Sequence, residues 1–283
     1  MVSEKAYWKV GGEARLEIGE RSLLMGILNV TPDSFSDGGE HLQLFAAVAR
    51  AESMFQEGAA IVDIGGESTR PGFEPVSFEE EVARVVPVIR ELRSRRSDCI
   101  LSIDTSKAVV AEAALEAGAN IVNDVNGFLS DPQLAEVAAK YRAGVVLMRN
   151  GRSGEKEGSV LDRIRESWER SLEIAFAAGV KEPAIVLDPG VGFGTTRQED
   201  LEILRGLDLL RSFGFPLLLG TSRKRITAEP LGLPVDLRLE ATIATTVAGV
   251  AAGVELFRVH DVAENARAVC MADLIYRGND LDE

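Results

Sequence analysis

A chain of 283 residues, 46% of them hydrophobic, has the material for one large core and is not disordered. Its net charge of -14 argues against nucleic acid and anionic membranes as partners, because both are met by basic patches, so an anionic substrate needs a local cluster of positive groups. Two cysteines, Cys99 and Cys270, are too few for a disulfide framework and predict a reduced, cytoplasmic protein. Both lie in apolar patterns and read as buried packing. With His41 and His260 the only histidines, a zinc cluster is not expected, whereas a hard cation held by oxygen ligands stays open. MVSEKAYWKVGG at the start has no apolar run, and no segment approaches about 18 apolar residues, so neither a signal peptide nor a membrane span is expected.

Residues 6–22 (AYWKVGGEARLEIGERS) alternate weakly around Gly11-Gly12 and predict a short β-hairpin. From Leu23 onward a strand pattern followed by a helix pattern recurs eight times. The strands fall at 23–30, 60–64, 99–104, 120–125, 143–149, 184–188, 216–220 and 255–259, with helices over 42–57, 77–96, 107–117, 160–178, 197–213 and 236–252. Continuous apolar strands separated by amphipathic helices mean parallel strands buried on both faces. Eight evenly spaced units favour a single α/β domain, 1–283, folded as a (β/α)8 TIM barrel over about 23–276, against the rival doubly wound open sheet. Residues 150–159 (NGRSGEKEGS) form the longest irregular stretch and read as a loop.

In such barrels the chemistry comes from the carboxyl ends of the strands. Those ends read Asn29, Asp63, Asp104, Asn123 with Asp124, Arg149, Asp188, Ser222 to Lys224, and Arg258 with His260. After Asn29 the chain enters a loop rich in Asp, Ser and Gly, with Asp33, Ser34, Ser36, Asp37 and one aromatic, Phe35. Asp63 is followed by two glycines and then Ser68, Thr69 and Arg70 ahead of Pro71. Asp104 and Asp188 end apolar strands, where an unpaired carboxylate is costly. A flat heterocycle with adjacent N–H groups, such as a guanine-like or pterin edge, satisfies such a carboxylate with two hydrogen bonds; capping of the following helix is the alternative for Asp104. PGVGFG after Asp188 lacks both a P-loop Lys-Ser/Thr and a dinucleotide fingerprint, so its glycines read as room for a flat ring, walled by Phe193. Lys224, one of seven lysines, reads either as a Schiff-base nucleophile or as a donor and counter-charge, while Lys107 reads as solvated.

In this order MGILNVTPDSFSDGG, DIGGESTRPG, SIDTSK, NDVNG, DPGVGFG, GTSRKR and RVHDV resemble the motif set of the dihydropteroate synthase family, which sulfonamides inhibit. The likeness runs from Leu23 to the last helix. It implies a condensation of 6-hydroxymethyl-7,8-dihydropterin diphosphate with 4-aminobenzoate, releasing pyrophosphate with Mg2+ help in folate biosynthesis. By matching motifs, Asp104, Asn123, Met148, Asp188, Gly192 and Lys224 bind the pterin. Asn29, Thr69, Arg258 and His260 bind diphosphate, with Asn29 also a ligand of the metal. Phe35, Pro71, Phe193 and Ser222 shape the 4-aminobenzoate site, and Asp33, Thr69, Arg70 and Lys224 act in catalysis. A homodimer through helices of the outer ring is implied too.

Two departures from the family pattern stand out. LMRNGR replaces the usual His-Met-x-Gly segment after strand five, placing Arg149 and Asn150 there, and Thr195 stands where Lys is common. Neither lies among the core contacts, so activity is expected to survive both. Three other readings are a methyltetrahydrofolate:corrinoid methyltransferase, a non-catalytic pterin-binding paralogue and an aldolase-like Schiff-base barrel. Arg258-x-His260 and the ESTRPG loop speak against the first, which has no reason to keep a diphosphate site.

Overall fold

The computed structural model describes residues 6–31, 40–67, 76–152, 157–228 and 232–278. Two short strands, β1 (Ala6–Lys9) and β2 (Arg15–Ile18), pair antiparallel as the expected hairpin. Gly11 and Gly12 take up its turn at φ of 100° and 53°, a region that disfavours a side chain. Eight parallel strands follow: β3 (Leu23–Asn29), β4 (Ile61–Gly65), β5 (Ile100–Asp104), β6 (Ile121–Asp124), β7 (Gly144–Met148), β8 (Ile185–Asp188), β9 (Leu218–Leu219) and β10 (Leu256–Val259). Their lateral order is β8-β7-β6-β5-β4-β3-β10-β9, and a parallel bridge between Leu187 and Leu217 joins the two ends into a barrel.

Nine helices are described around it: α1 (Glu40–Gln56), α2 (Phe78–Arg95), α3 (Ala108–Glu116), α4 (Gln133–Tyr141), α5 (Val160–Ala178), α6 (Arg197–Arg205), α7 (Leu207–Arg211), α8 (Leu239–Ala251) and α9 (Val262–Tyr276). Two expectations are corrected. The strand over 216–220 shrinks to two residues, because Pro216 has no N–H to give and the Leu217 N–H is taken by the Glu255 carboxylate at 2.9 Å. The helix over 197–213 breaks at Gly206, where a Cβ would come within 2.7 Å of Leu161.

Strand alternation decides which residues face the barrel axis. Met25, Ile61, Ile121, Val146, Val186, Leu218 and Leu256 point inward near the amino ends of their strands and pack with Trp8, Val10 and Ile18 of the hairpin segment. Trp8 is buried there and donates its indole N–H to the Ala184 carbonyl at 2.8 Å. The hairpin therefore plugs the amino end of the barrel. The alternate residues, such as Leu24, Val62, Leu101, Val122, Leu147, Leu187 and Phe257, pack outward under the helices. Continuing the inward register by two or four residues reaches the opposite, carboxyl end.

Candidate active site

That register turns Asn29, Asp63, Asp104, Asn123, Met148, Asp188 and Arg258 into the carboxyl mouth of the barrel. Asp63 is fully buried and accepts hydrogen bonds on one carboxylate oxygen from Asn123 Nδ2 at 2.9 Å and Arg258 Nε at 2.6 Å. The same guanidinium reaches Asp104 through Nη2 at 2.5 Å. Arg258 thus lies between two carboxylates, with a fifth of its side chain still exposed at the mouth. Burial pushes Asp104 up to about 7, against the pull of Arg258 and with Asp63 adding repulsion. The paired carboxylates raise Arg258 further above its usual range, outweighing its burial.

Across the mouth, Lys224 follows β9 and donates to the Val191 carbonyl at 2.8 Å, its ammonium 4.6 Å from the centre of the Phe193 ring. Burial lowers it to about 8, with Asp188 opposing that shift. Asp188 is raised by burial and held back first by Lys224, then by its hydrogen bond from the Gly190 N–H at 2.7 Å. Gly220 faces the same space. A Cβ there would lie 3.7 Å from the Lys224 ammonium and 3.8 Å from both Asp188 Oδ2 and the Arg258 Cβ. Its bare backbone leaves a slot flanked by the Lys224 ammonium, the Asp188 carboxylate and the root of the Arg258 side chain.

The glycine-rich loop after β8 is built by close approach. Gly190 takes φ of 73°, and any Cβ on it would collide with the Arg149 carbonyl, so the loops after β7 and β8 share one wall. Asp200, fully buried on α6, accepts the Gly192 N–H at 2.9 Å and the Thr195 hydroxyl at 2.5 Å. Thr195 is thereby part of the brace that holds the loop carrying Phe193. Arg149 is buried with its Nη1 unpartnered among the described residues, and desolvation first, then repulsion from Arg163, lowers it.

On the side of β10, Ser222 Oγ lies 3.0 Å from His260 Nδ1 and accepts the His260 N–H at 3.2 Å. Neighbouring Arg223, at a positive φ of 57°, is ion-paired with Asp261, and Arg50 on α1 donates to the His260 carbonyl at 3.2 Å.

Of the residues expected from sequence, the barrel brings Asn29, Asp104, Asn123, Met148, Asp188, Gly192, Phe193, Ser222, Lys224, Arg258 and His260 to one end. Asp33, Phe35, Thr69, Arg70 and Pro71 lie outside the described residues. Asp124 is corrected: it points away from the axis and accepts the Asn126 and Phe128 N–H groups at 2.8 and 2.7 Å, with burial raising it to about 6. Lys107, expected in solvent, is half-buried and paired with Glu67 and Glu81. Cys270, expected in the core, is exposed, because it falls on the outer face of α9. Asp63 is the central residue that strand-end reading placed at the mouth without giving it partners. Its inward parity, shared with Asp104, was the available signal.

Residues 25–260 match a family model described as pterin binding enzyme, more than four-fifths of the chain. The chain belongs to that family. A dihydropteroate synthase from Clostridium beijerinckii is 48% identical over 267 residues, covering 94% of this chain and 98% of that protein. The crystal structure of dihydropteroate synthase from Clostridium difficile in the presence of pteroic acid superposes with a TM-score of 0.90 at 48% identity, covering 93% of this chain and 99% of that one. A Xanthomonas albilineans dihydropteroate synthase with 4-aminobenzoic acid gives a TM-score of 0.89 at 37% identity, covering 96% of this chain and 98% of that one. Among pterin-binding enzymes the likeness is thus to the dihydropteroate synthases along nearly the full chain, and the ring of carboxylates at the mouth falls inside the matched span.

Proposed function

We propose that this mouth joins 6-hydroxymethyl-7,8-dihydropterin diphosphate to 4-aminobenzoate, the dihydropteroate synthase reaction. The observation that carries it is the inward set Asp63, Asp104, Asn123, Asp188 and Lys224 at the carboxyl mouth, buried or half-buried hydrogen-bonding groups arranged for a flat, donor-rich heterocycle. Asp104, Asn123 and Asp188 take the edge of the pterin, Lys224 donates to it, and Met148 and the Gly192 backbone pack on its faces. In the reaction the C–O bond from the pterin methylene to diphosphate breaks, its electron pair leaving with pyrophosphate. The electron-rich dihydropterin spreads the resulting positive charge, the aminobenzoate nitrogen forms the new C–N bond, and one amine proton is released. No strong base is required, so the protein's contribution is positioning and charge.

His260, with Ser222 fixing its ring, and the exposed edge of Arg258 supply positive or donor groups toward diphosphate. Phe193, braced by Lys224 and Arg152 at 4.6 Å each, offers an aromatic wall for 4-aminobenzoate. No group of three or more His, Cys, Asp or Glu side chains among the described residues is placed to hold a metal. Asn29 offers one amide oxygen at the end of β3, which fits Mg2+ taking its remaining ligands from phosphate and water. When bound, that ion supplies positive charge for the departing pyrophosphate. A Schiff-base role for Lys224 is disfavoured by its donated hydrogen bond and its seat on Phe193.

Pterin binding is expected to carry a pH signature. Below about 7, Asp104 carries a proton and one acceptor for the pterin edge is lost, so pterin affinity falls by up to about tenfold per unit of acidification. Calorimetric titration of 6-hydroxymethylpterin between pH 5.5 and 8 shows that slope in the parent and not in Asp104→Asn. A flat profile in the parent removes Asp104 from the site.

A second copy of the chain is the proposed cover for the outer face of α9. Met271, Ile275 and Tyr276 are exposed there, beside a shallow hollow of about 450 Å3 lined by Ala266, Arg267, Cys270, Met271 and Leu274. Sedimentation at twice 30.5 kDa is the expected result, reduced to the single chain by Met271→Glu; a parent that sediments as one chain rejects it. No described helix is long and apolar enough to cross a membrane.

A further inference from the structure

Lys107 lies three residues beyond Asp104, at the start of α3, and all three of its ammonium donors are engaged. It bonds the Glu67 carboxylate, where the chain leaves β4. It donates to the Val76 carbonyl at 2.7 Å, where the chain re-enters toward α2, and to Glu81 Oε2 on α2 at 2.6 Å. Glu81 is itself buried, so this ion pair is not a surface ornament. A second tie acts at the same point. Arg84 of α2 donates to the Gly66 carbonyl at 2.6 Å, and Gly66 sits so close that a Cβ would come within 2.9 Å of Val85 and 3.0 Å of Glu81. Gly65 in turn faces Asp104, its hypothetical Cβ 3.6 Å from the Asp104 Cβ.

We infer that Lys107 is a positioning residue for the condensation: one ammonium fastens residue 67, at the exit of β4, and residue 76, at the entry to α2, together beside Asp104 at the rim of the mouth. The inference rests on the reaction proposed above. Its physical logic is that three acceptors from β4's exit, α2's entry and α2's first turns converge on a single cation. Loss of that cation frees two chain ends at once and leaves the pterin floor of the barrel untouched.

The test compares Lys107→Met, Lys107→Arg and Glu67→Gln. Lys107→Met strands the buried Glu81 and can unfold the protein; Glu67→Gln keeps the Lys107–Glu81 pair and weakens only the loop-side tie, so it stays informative if the first does not fold. For Lys107→Met, kcat/KM for 4-aminobenzoate is expected to fall about 30-fold, within the roughly 100-fold that small misplacements cost. Glu67→Gln is expected to lose less in the same direction, and Lys107→Arg to recover part of the loss. Calorimetric affinity for 6-hydroxymethylpterin stays at the parent value in all three. Amide hydrogen exchange rises at residues 66–67 and 76–78 and not in β5 or β8. Parent-like turnover and exchange in folded Glu67→Gln and Lys107→Met overturn the inference, as does a pterin affinity that falls in step with turnover. If the parent makes no dihydropteroate, the reaction assignment fails, and the exchange measurement still decides whether Lys107 fastens the two ends.

Discussion

Lys224→Ala is expected to keep the barrel folded and to weaken binding of dihydropterin diphosphate by about 100-fold, the equivalent of about 3 kcal/mol. The reason is the pairing across the slot at Gly220. Lys224 is the cation that opposes the burial of Asp188, and Asp188 already stands above the usual carboxylate range. Without the ammonium, burial pushes Asp188 up further, so the site loses a donor and weakens an acceptor together. Phe193 also loses the cation against its ring. The fold survives because Lys224 sits in the turn after β9, and its hydrogen bond to the Val191 carbonyl belongs to a loop that Asp200 braces independently. Calorimetry with circular dichroism checks this; unchanged affinity in a folded variant removes Lys224 from the pterin site.

Arg258→Ala is expected to have the largest effect on stability, about 3–5 kcal/mol at pH 8, because it leaves Asp63 and Asp104 buried side by side without their shared cation. The pH dependence follows from Asp104. Its pKa in the folded parent, about 7, lies above the unfolded value, so the stability it contributes is fully present below about 4 and is lost as pH rises toward 7. Removing Arg258 raises it further and extends that loss to higher pH. The gap between parent and variant is therefore smallest below about 7 and widens above it. Urea denaturation at pH 6 and pH 9 measures both values; a gap that shrinks on raising the pH contradicts the pairing. In the folded population at pH 6, the variant loses more affinity for the diphosphate substrate than for 6-hydroxymethylpterin if Arg258 also faces the anion.

The site was legible in the sequence to the extent that one polar residue closes each apolar strand. Asn29, Asp104, Asn123, Asp188, Lys224 and Arg258 could be placed at one rim from that alone, because a buried parallel strand has no other reason to end in a charge. Parity was harder to read. When both faces of a strand are apolar, Asn123 and Asp124 look alike, and only the inward packing of Ile121 against the hairpin shows that Asn123 faces the axis and Asp124 does not. Pairings were not legible, since Arg258 meets Asp63 and Asp104 from 195 and 154 residues away. Lys107 read as a solvated helix residue for the same reason, its partners lying 26 to 40 residues upstream. The shortening of β9 depended on Glu255, a side chain from the neighbouring strand's start, taking a backbone donor.

The most direct measurement is product analysis on the purified chain given dihydropterin diphosphate, 4-aminobenzoate and Mg2+, with each substrate omitted in turn. Dihydropteroate and pyrophosphate formed in equal amounts, and only when both substrates are present, is the result this account predicts. Tight pterin binding with no dihydropteroate formed would contradict it and mark the chain as a binding protein built on the same barrel.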